Sequence, residues 1–114
     1  IAWNKTGRVI ANGSPGASRI TTTITQGWIN LIHKGLDPHM AVDAPRLHVD
    51  YQDDRYVVQY EPGVNPGELK RHFKLRPFEN RDMYFGALNI AIRDADGRVE
   101  AVADSRRHGA TYHS

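Results

Sequence analysis

The chain contains no cysteine, and this excludes both a disulfide framework and a thiolate nucleophile or metal ligand. It also has no run of about 18 apolar residues, the length that a membrane-spanning helix needs. Its first residues show no signal-peptide pattern and begin with Ile1 rather than methionine. We therefore expect a processed or excised segment without a membrane span.

Neither sign of charge predominates, since 15 Lys and Arg oppose 13 Asp and Glu and leave a net charge of +2. The basic residues are spread along the chain, and their densest cluster is Arg106-Arg107-His108. Dispersed charge is typical of a solvated surface, so we expect no nucleic-acid partner. With 114 residues and a 39% apolar content, the chain suffices for a single domain, residues 1–114, with a modest core.

The first third of the chain predicts two strands, a loop and a helix. Residues 1–3 and 8–11 are predicted strands, joined by turn-forming residues. After a loop over residues 12–17, apolar residues recur at helical spacing and predict a core-facing stripe, at Ile20, Ile24, Trp28, Leu31 and Ile32. Gly35 stands where a glycine commonly ends a helix.

The middle of the chain predicts a short helix and two strands. Asp37 precedes Pro38, a pattern typical of a capped helix start, and Pro45 ends that helix. Alternating side chains predict strands over residues 47–52 and 56–60.

The last half predicts a further helix, a loop and a hairpin. Residues 65–73 begin with the turn and carboxylate signals of a helix start, whereas residues 74–84 are polar and unpatterned and predict a loop. Residues 87–92 and 99–103 alternate around a turn at 94–97, which predicts a hairpin. Helices and strands that mix without regular alternation favour an α+β fold with a mainly antiparallel sheet.

Residues 13–18, Gly-Ser-Pro-Gly-Ala-Ser, join a predicted strand to a predicted helix. Such a loop can direct several backbone N–H groups toward one point, and the helix N-terminus adds about half a positive charge. The residues admit three interpretations. A phosphate loop is disfavoured because the Gly-Lys-Ser/Thr ending is absent. A tight turn with Ser18 as helix cap, or an oxyanion hole, fits the residues better.

The motifs of the chain, taken in order, resemble those of the γ-glutamyltranspeptidases. Residues 13–20 match the family signature Gly-Ser-Pro-Gly-Gly-Ser-Arg-Ile, and residues 44–48, Ala-Pro-Arg-Leu-His, match its next motif. Glu61-Pro62-Gly63 and residues 86–97 follow in the family's order, and residues 104–110 are similar to its closing Asp-Pro-Arg-Arg motif. The resemblance covers essentially the whole chain.

The resemblance implies a partial Ntn-hydrolase αββα sandwich, in which residues 1–114 are the C-terminal part of a small subunit. It implies an enzyme that cleaves and transfers γ-glutamyl groups from substrates such as glutathione, with the small subunit's N-terminal Thr as nucleophile. The implied partners are the remainder of the small subunit and the large subunit, and no cofactor or metal is implied. A periplasmic or extracellular location is compatible with the family, and the fragment is expected to self-associate.

The site residues follow from the same resemblance. Gly16 and Ala17 match the paired glycines whose N–H groups hold the oxyanion, and the surrounding loop scaffold is matched by Gly13, Ser14, Pro15 and Ser18. Ala17 departs from the family's second glycine, and Ser105 departs from its proline. Ala17 keeps its N–H, but its Cβ could crowd a substrate or demand a negative φ.

The nucleophile is what the chain lacks. None of its threonines is N-terminal or matches the nucleophile position: Thr6, Thr21, Thr22, Thr23, Thr25 and Thr111. The family's Ser-Ser pair and its large-subunit Arg are absent as well. We expect the intact protein to be an enzyme and this chain alone to be inactive. Two alternatives stay open: a non-catalytic homologue or binding module that keeps only the fold, and a cephalosporin-acylase-like or polyglutamate-processing specificity.

Other polar residues predict structural roles. The histidines at 33, 39, 48, 72, 108 and 113 form no metal-ligating pair on one helix face, so we expect surface or packing roles. Asp94 and Asp96, followed by a glycine, predict a hairpin turn rather than a calcium loop. Asp104, Arg106 and Arg107 predict a structural ion-pair cluster.

Overall fold

The computed structural model describes all 114 residues, and its larger sheet has five strands. These are β1 (Ala2–Trp3), β2 (Val9–Gly13), β6 (Asn89–Arg93), β7 (Val99–Val102) and β8 (Tyr112–His113). They lie side by side in that order, and every neighbouring pair is antiparallel. The predicted N-terminal strands and the C-terminal hairpin are confirmed, with ends shifted by one or two residues.

A smaller sheet contains β3 (Leu47–Gln52), β4 (Arg55–Tyr60) and β5 (Lys74–Pro77). β3 and β4 form the predicted antiparallel hairpin, and β5 pairs in parallel with β4. β5 shows that the prediction of a loop over residues 74–84 was wrong for residues 74–77. Its residues alternate little and lie mostly exposed, so the strand depends on the backbone partners that β4 offers rather than on an apolar pattern.

The helices are fewer and shorter than the sequence predicts. α1 (Ile20–Trp28) continues as a π-helical turn over Ile29–His33, and α2 (Pro38–Asp43) begins at its predicted cap. The predicted helix over residues 65–73 is only a 3₁₀ segment, Gly67–Arg71. None of the helices has the length and hydropathy needed to cross a membrane.

α2 shows why a short helix forms where it does. Asp37 Oδ1 accepts a hydrogen bond of 3.0 Å from the N–H of Met40, and Pro38 occupies the first turn, where no N–H is needed. The helix buries Ala41 and Val42 against β6 and β7.

The hydrophobic core lies between the helices and one face of the larger sheet. Its buried residues are Ile10, Ala41, Val42, Leu88, Ile90, Ile92 and Val102, with Trp28, Leu31 and Leu36 packed against them. The predicted helical stripe is therefore only partly in the core, because Ile32 is 63% exposed and Ile20 is 37% exposed. The opposite face of the sheet carries small side chains, with Ala11, Ala91 and Ala101 side by side in register.

Four buried charged side chains form a neutral cluster at one end of the core: Arg46, Glu61, Asp104 and Arg106. Each of these side chains is at most 2% exposed. Arg106 forms two hydrogen bonds to Glu61, of 2.7 Å and 2.5 Å, and Arg46 Nη2 lies 2.6 Å from Asp104 Oδ2. The predicted pairing of Asp104 with Arg106 is confirmed, whereas Arg107 takes no part and Arg46 and Glu61 complete the cluster.

The cluster satisfies backbone groups as well as its own charges. Both arginines donate to the carbonyl oxygen of Val42, at the C-terminal end of α2. Asp104 Oδ2 accepts from the N–H of Leu88 at 2.8 Å, and Glu61 Oε2 accepts from the N–H of Arg46 at 2.9 Å. The cluster therefore connects α2, the start of β3, the end of β4 and the segment that leads into β6.

Opposing effects act on the titration of these groups. Burial alone would raise the pKa of Asp104, but the Arg46 guanidinium and hydrogen bonds from the N–H groups of Arg106 and Leu88 outweigh it and lower this pKa. Burial and the neighbouring Arg106 lower the pKa of Arg46, although Asp104 opposes the shift. Asp104 is consequently ionised at neutral pH and pairs with two guanidinium groups.

We expect Asp104→Asn to destabilise the fold by roughly 3–5 kcal/mol, because it leaves a buried guanidinium without a counter-charge. Thermal unfolding followed by circular dichroism measures the loss. Asp43→Asn is the matched control: its carboxylate pairs with Arg81 in an exposed salt bridge of 3.2 Å, where about 0–1 kcal/mol is typical. Equal melting temperatures for the two variants would contradict the structural role of the cluster.

Comparison of the wild-type protein with Asp104→Asn also gives a prediction about pH. Because the folded-state pKa of Asp104 is lowered, its stabilising effect is complete above the unfolded-state pKa of about 3.9 and is lost as pH falls through the folded-state pKa. The stability difference between wild type and Asp104→Asn should therefore be constant near neutral pH and shrink below about pH 4.

We also expect the isolated chain to self-associate. Its sheet edges β1 and β8 are unpaired on their outer sides, and Trp3 is 77% exposed and Tyr112 60% exposed. Light scattering over a range of concentrations tests this expectation. Trp3→Lys, which places a charge on the edge, should weaken the association, and a monomer at all concentrations would contradict it.

Candidate active site

The loop predicted to hold an oxyanion runs from the end of β2 to the start of α1. Gly13 is the last residue of β2 and pairs with Asn89, so only Ser14 to Arg19 are free of regular structure. Gly16 has a φ of +107°, which a residue with a side chain rarely adopts. Pro15 precedes it and fixes its own φ. These residues form a sharp and specific turn in front of a helix.

The two predicted donors are free. Neither the N–H of Gly16 nor that of Ala17 donates a hydrogen bond within the chain, although the Ala17 carbonyl oxygen accepts from the N–H of Ile20 at 3.3 Å. Ala17 is exposed and does not have a positive φ, so its methyl group causes no backbone strain. Two adjacent unpaired N–H groups in the turn before α1 are suited to bind an anionic oxygen.

Ser14 connects the loop to a neighbouring segment. Its hydroxyl donates to the carbonyl oxygen of Pro15 at 2.9 Å and accepts from the N–H of Ala87 at 3.2 Å. Ala87 is buried and directly precedes Leu88, whose N–H binds Asp104. A single side chain thereby joins the loop to the buried charge cluster through one short stretch of backbone.

Ser18 does not cap α1, so the capping role in the tight-turn interpretation was wrong. The N-cap residue is Arg19, which makes no side-chain cap, and the Ser18 hydroxyl accepts from Arg19 Nη1 at 3.0 Å. Arg19 Nε donates to the carbonyl oxygen of Tyr84 at 3.0 Å, and its guanidinium lies 4.5 Å from the centre of the Tyr84 ring. The far end of the loop is therefore held by Tyr84.

The segment Tyr84–Ala87 thus forms backbone hydrogen bonds with three side chains of the loop and of α1. Besides Arg19 and Ser14, Thr23 of α1 donates from Oγ1 to the carbonyl oxygen of Phe85 at 2.7 Å. From its other side, Arg46 Nη1 donates to the same Phe85 oxygen at 3.2 Å. The segment lies between the loop and the charge cluster. Gly86 begins a stretch that resembles a family motif, but neither the role of this segment nor that of Thr23 is predictable from that resemblance.

His48 lies buried beside α1, where it takes the predicted packing role. Its Nδ1 is 2.9 Å from the hydroxyl of Thr22, and its ring meets that of Tyr84 edge to face. Burial lowers the pKa of His48, although Asp50 opposes the shift and Arg19 adds to it. The imidazole is therefore neutral at pH 7. No group of three or more side chains is arranged as a metal site.

We expect Gly86→Ala to disturb the loop. An added Cβ would lie 2.7 Å from both Ser14 Oγ and Thr23 Oγ1, and the φ of +81° is itself unfavourable for alanine. Gly97→Ala is the matched control, since Gly97 has a φ of +89° in the hairpin turn with nothing within 4 Å of an added Cβ. Both substitutions carry a backbone cost of about 1–3 kcal/mol, so a larger loss of thermal stability in Gly86→Ala isolates the crowding. Equal losses would contradict it.

The chain is similar to known proteins along its whole length. A family model described as Gamma-glutamyltranspeptidase matches residues 1–114. The Glutathione hydrolase proenzyme of Escherichia coli (strain K12) is 43% identical over 61 residues, which are 54% of this chain and 10% of that protein. The Glutathione hydrolase proenzyme of Bacillus subtilis (strain 168) is 30% identical over 104 residues, 90% of this chain and 17% of that protein. The chain spans less than a fifth of either relative.

A solved structure has the same fold. The γ-glutamyltranspeptidase from Pseudomonas nitroreducens complexed with L-DON superposes with a TM-score of 0.73 at 22% identity, over 96% of this chain and 57% of that one. The predicted α+β class with mainly antiparallel strands is confirmed, and the chain shares the fold of that structure. Because the family match extends over every residue, this chain belongs to the γ-glutamyltranspeptidase family.

Proposed function

We propose that this chain contributes the oxyanion hole of an enzyme that cleaves and transfers γ-glutamyl groups. The observation that carries the proposal is the pair of adjacent N–H groups, those of Gly16 and Ala17, which have no partner within the chain. Loop backbone is seldom left unpaired without solvent or a ligand to satisfy it. Donors fixed before the reaction stabilise the charge that develops on a carbonyl oxygen at little reorganisation cost.

The reaction follows from the family's chemistry. The hydroxyl of an N-terminal Thr attacks the γ-glutamyl carbonyl carbon while the Thr α-amino group takes the hydroxyl proton. The carbonyl oxygen becomes the oxyanion that Gly16 and Ala17 bind. When the tetrahedral intermediate collapses, the amine leaves with a proton and an acyl-enzyme remains. Water or an acceptor amine then releases the γ-glutamyl group.

The nucleophile in this proposal comes from outside the chain. Thr22 and Thr23, in the first turn of α1, are engaged with His48 and with the Phe85 carbonyl oxygen. The partners are the remainder of the small subunit and the large subunit, which would cover the small-residue face of the larger sheet at Ala91 and Ala101. Glutathione is the proposed donor substrate, in keeping with the names of the two relatives.

A non-catalytic homologue is the second candidate, and the departures at Ala17 and Ser105 favour it. Neither departure removes a site group, because Ala17 keeps its N–H and Ser105 is exposed at the start of a 3₁₀ turn. The two candidates differ in what precedes this segment. An upstream reading frame that encodes a Thr after a cleavable peptide bond supports the enzyme, and a frame without one supports the binding module.

The proposal is tested by Ala17→Pro in the longer protein that carries the N-terminal Thr. Proline removes one donor N–H, and loss of one oxyanion donor typically lowers kcat by about 10²–10³-fold. We expect a smaller change in KM, because the contact strengthens in the transition state. Hydrolysis of γ-glutamyl-p-nitroanilide measures both constants.

Matched variants separate the donor from the side chain. Ala17→Ser and Ala17→Gly keep the N–H and should retain activity, and the isolated 114-residue chain should show none because it has no nucleophile. Circular dichroism and subunit processing are checked first, since proline could disturb the start of α1. A folded and processed Ala17→Pro enzyme with near-normal kcat would show that the loop is only a turn.

A further inference from the structure

We propose that Ser14 is a positioning residue that holds the Pro15–Gly16 peptide in the one orientation that can bind an oxyanion. This inference rests on the proposed function and concerns the same site. Ser14 was expected only as part of the loop scaffold. The two hydrogen bonds of its hydroxyl give it a positioning role, which does not require contact with the substrate.

The geometry of one peptide unit supports the assignment. The carbonyl oxygen of Pro15 and the N–H of Gly16 belong to the same planar group, and the chain has no cis peptide bond. In a trans peptide these two groups point in opposite directions. The Ser14 hydroxyl donates to the Pro15 oxygen at 2.9 Å, so the Gly16 N–H is directed away from Ser14.

The backbone at Gly16 does not enforce this orientation by itself. Glycine occupies positive and negative φ about equally well, and the observed φ of +107° is one choice among several. Proline fixes its own φ but leaves ψ free, so the peptide between Pro15 and Gly16 can rotate. After such a rotation the site would present a carbonyl oxygen, which repels an oxyanion, in place of an N–H.

The Ser14 hydroxyl opposes this rotation and is itself anchored. Rotation would remove the acceptor of its proton, the Pro15 carbonyl oxygen. The oxygen of the same hydroxyl accepts from the N–H of Ala87, a residue that is 3% exposed. The next N–H along the chain, that of Leu88, binds Asp104 of the buried cluster. The orientation of the Gly16 N–H is thus linked, through the backbone of Ala87 and Leu88, to the buried charge cluster.

The test compares three substitutions at Ser14 in the longer protein that carries the nucleophile. Ser14→Ala removes both hydrogen bonds, Ser14→Cys fills the space with a weakly bonding thiol, and Ser14→Thr keeps the hydroxyl. We expect Ala and Cys to lower kcat by about tenfold to a hundredfold, with KM changed by less than about threefold, because a misdirected donor acts mainly on the transition state. Thr should stay within about threefold of wild type.

Thr25→Ala is the control for loss of a hydroxyl, because Thr25 is exposed on α1 and its hydroxyl makes no hydrogen bond in the chain. Melting temperature and subunit processing are measured for every variant. If Ser14→Ala does not fold, Ser14→Cys carries the comparison. Near-normal kcat in the folded Ala or Cys variant, or a loss in Thr as large as in Ala, would overturn the positioning role.

The outcomes also distinguish this inference from the proposed function. A wild-type protein without γ-glutamyl hydrolysis, or an Ala17→Pro enzyme with near-normal kcat, overturns both. An active wild type that is sensitive to Ala17→Pro but insensitive at Ser14 overturns the positioning role alone. Loss of kcat at both positions, with retention in Ser14→Thr, supports the two together.

Discussion

The buried cluster of Arg46, Glu61, Asp104 and Arg106 is the interaction on which the rest of this structure depends. Four charges leave water together, and the desolvation this requires is tolerable only because every one has an opposite charge and further hydrogen bonds. Such a cluster need not stabilise the fold more than apolar residues of the same size would. What it adds is directional contact: each guanidinium and carboxylate also binds a specific backbone group. Segments far apart in sequence are thereby fixed in one relative position.

Hydrogen bonds, rather than apolar packing, connect the candidate site to this cluster and fix the geometry of the site. The cluster holds the carbonyl oxygen of Phe85 and the N–H of Leu88, and the same stretch of backbone holds Ser14, Arg19 and Thr23. Pre-organisation is what an oxyanion hole requires, since donors that must first rotate lose much of their advantage. A loop of six residues, three of them exposed to solvent, would not provide it alone. Hydrogen bonds to the backbone segment that the buried cluster holds explain how it can.

The sequence predicted those elements of the fold that depend on residues close together in the chain. The Asp37-Pro38 helix start and the hairpin around residues 94–97 depend on neighbouring residues, and both are confirmed. β5 could not be predicted, because Lys74 to Pro77 carry no apolar alternation and the strand exists only through its parallel pairing with β4. The exposure of Ile32 was not predicted either, because α1 gives way to a π-helical turn over Ile29–His33, where the spacing of 3.6 residues per turn no longer holds.

The candidate site likewise has a part that the sequence predicted and a part that it did not. The loop itself was located from Gly-Ser-Pro-Gly-Ala-Ser and from a family resemblance, whereas its supports were not. Glu61 and Arg46 have no sequence feature that predicts their burial beside Asp104, and the bond from Thr23 to Phe85 joins residues 62 positions apart. Contacts of this kind depend on the complete fold, which a single sequence does not display.

The two proposed donor positions place different constraints on the residue type. This difference explains why alanine is compatible with the second position. The group that binds the oxyanion is backbone at both positions, so neither requires a particular side chain for its chemistry. Gly16 is constrained by its φ of +107°, which disfavours any side chain. Ala17 has no positive φ, lies exposed, and keeps its N–H unpaired. A methyl group there is compatible with the loop's conformation, so the departure from glycine bears on how closely a substrate can approach and not on whether the donor exists.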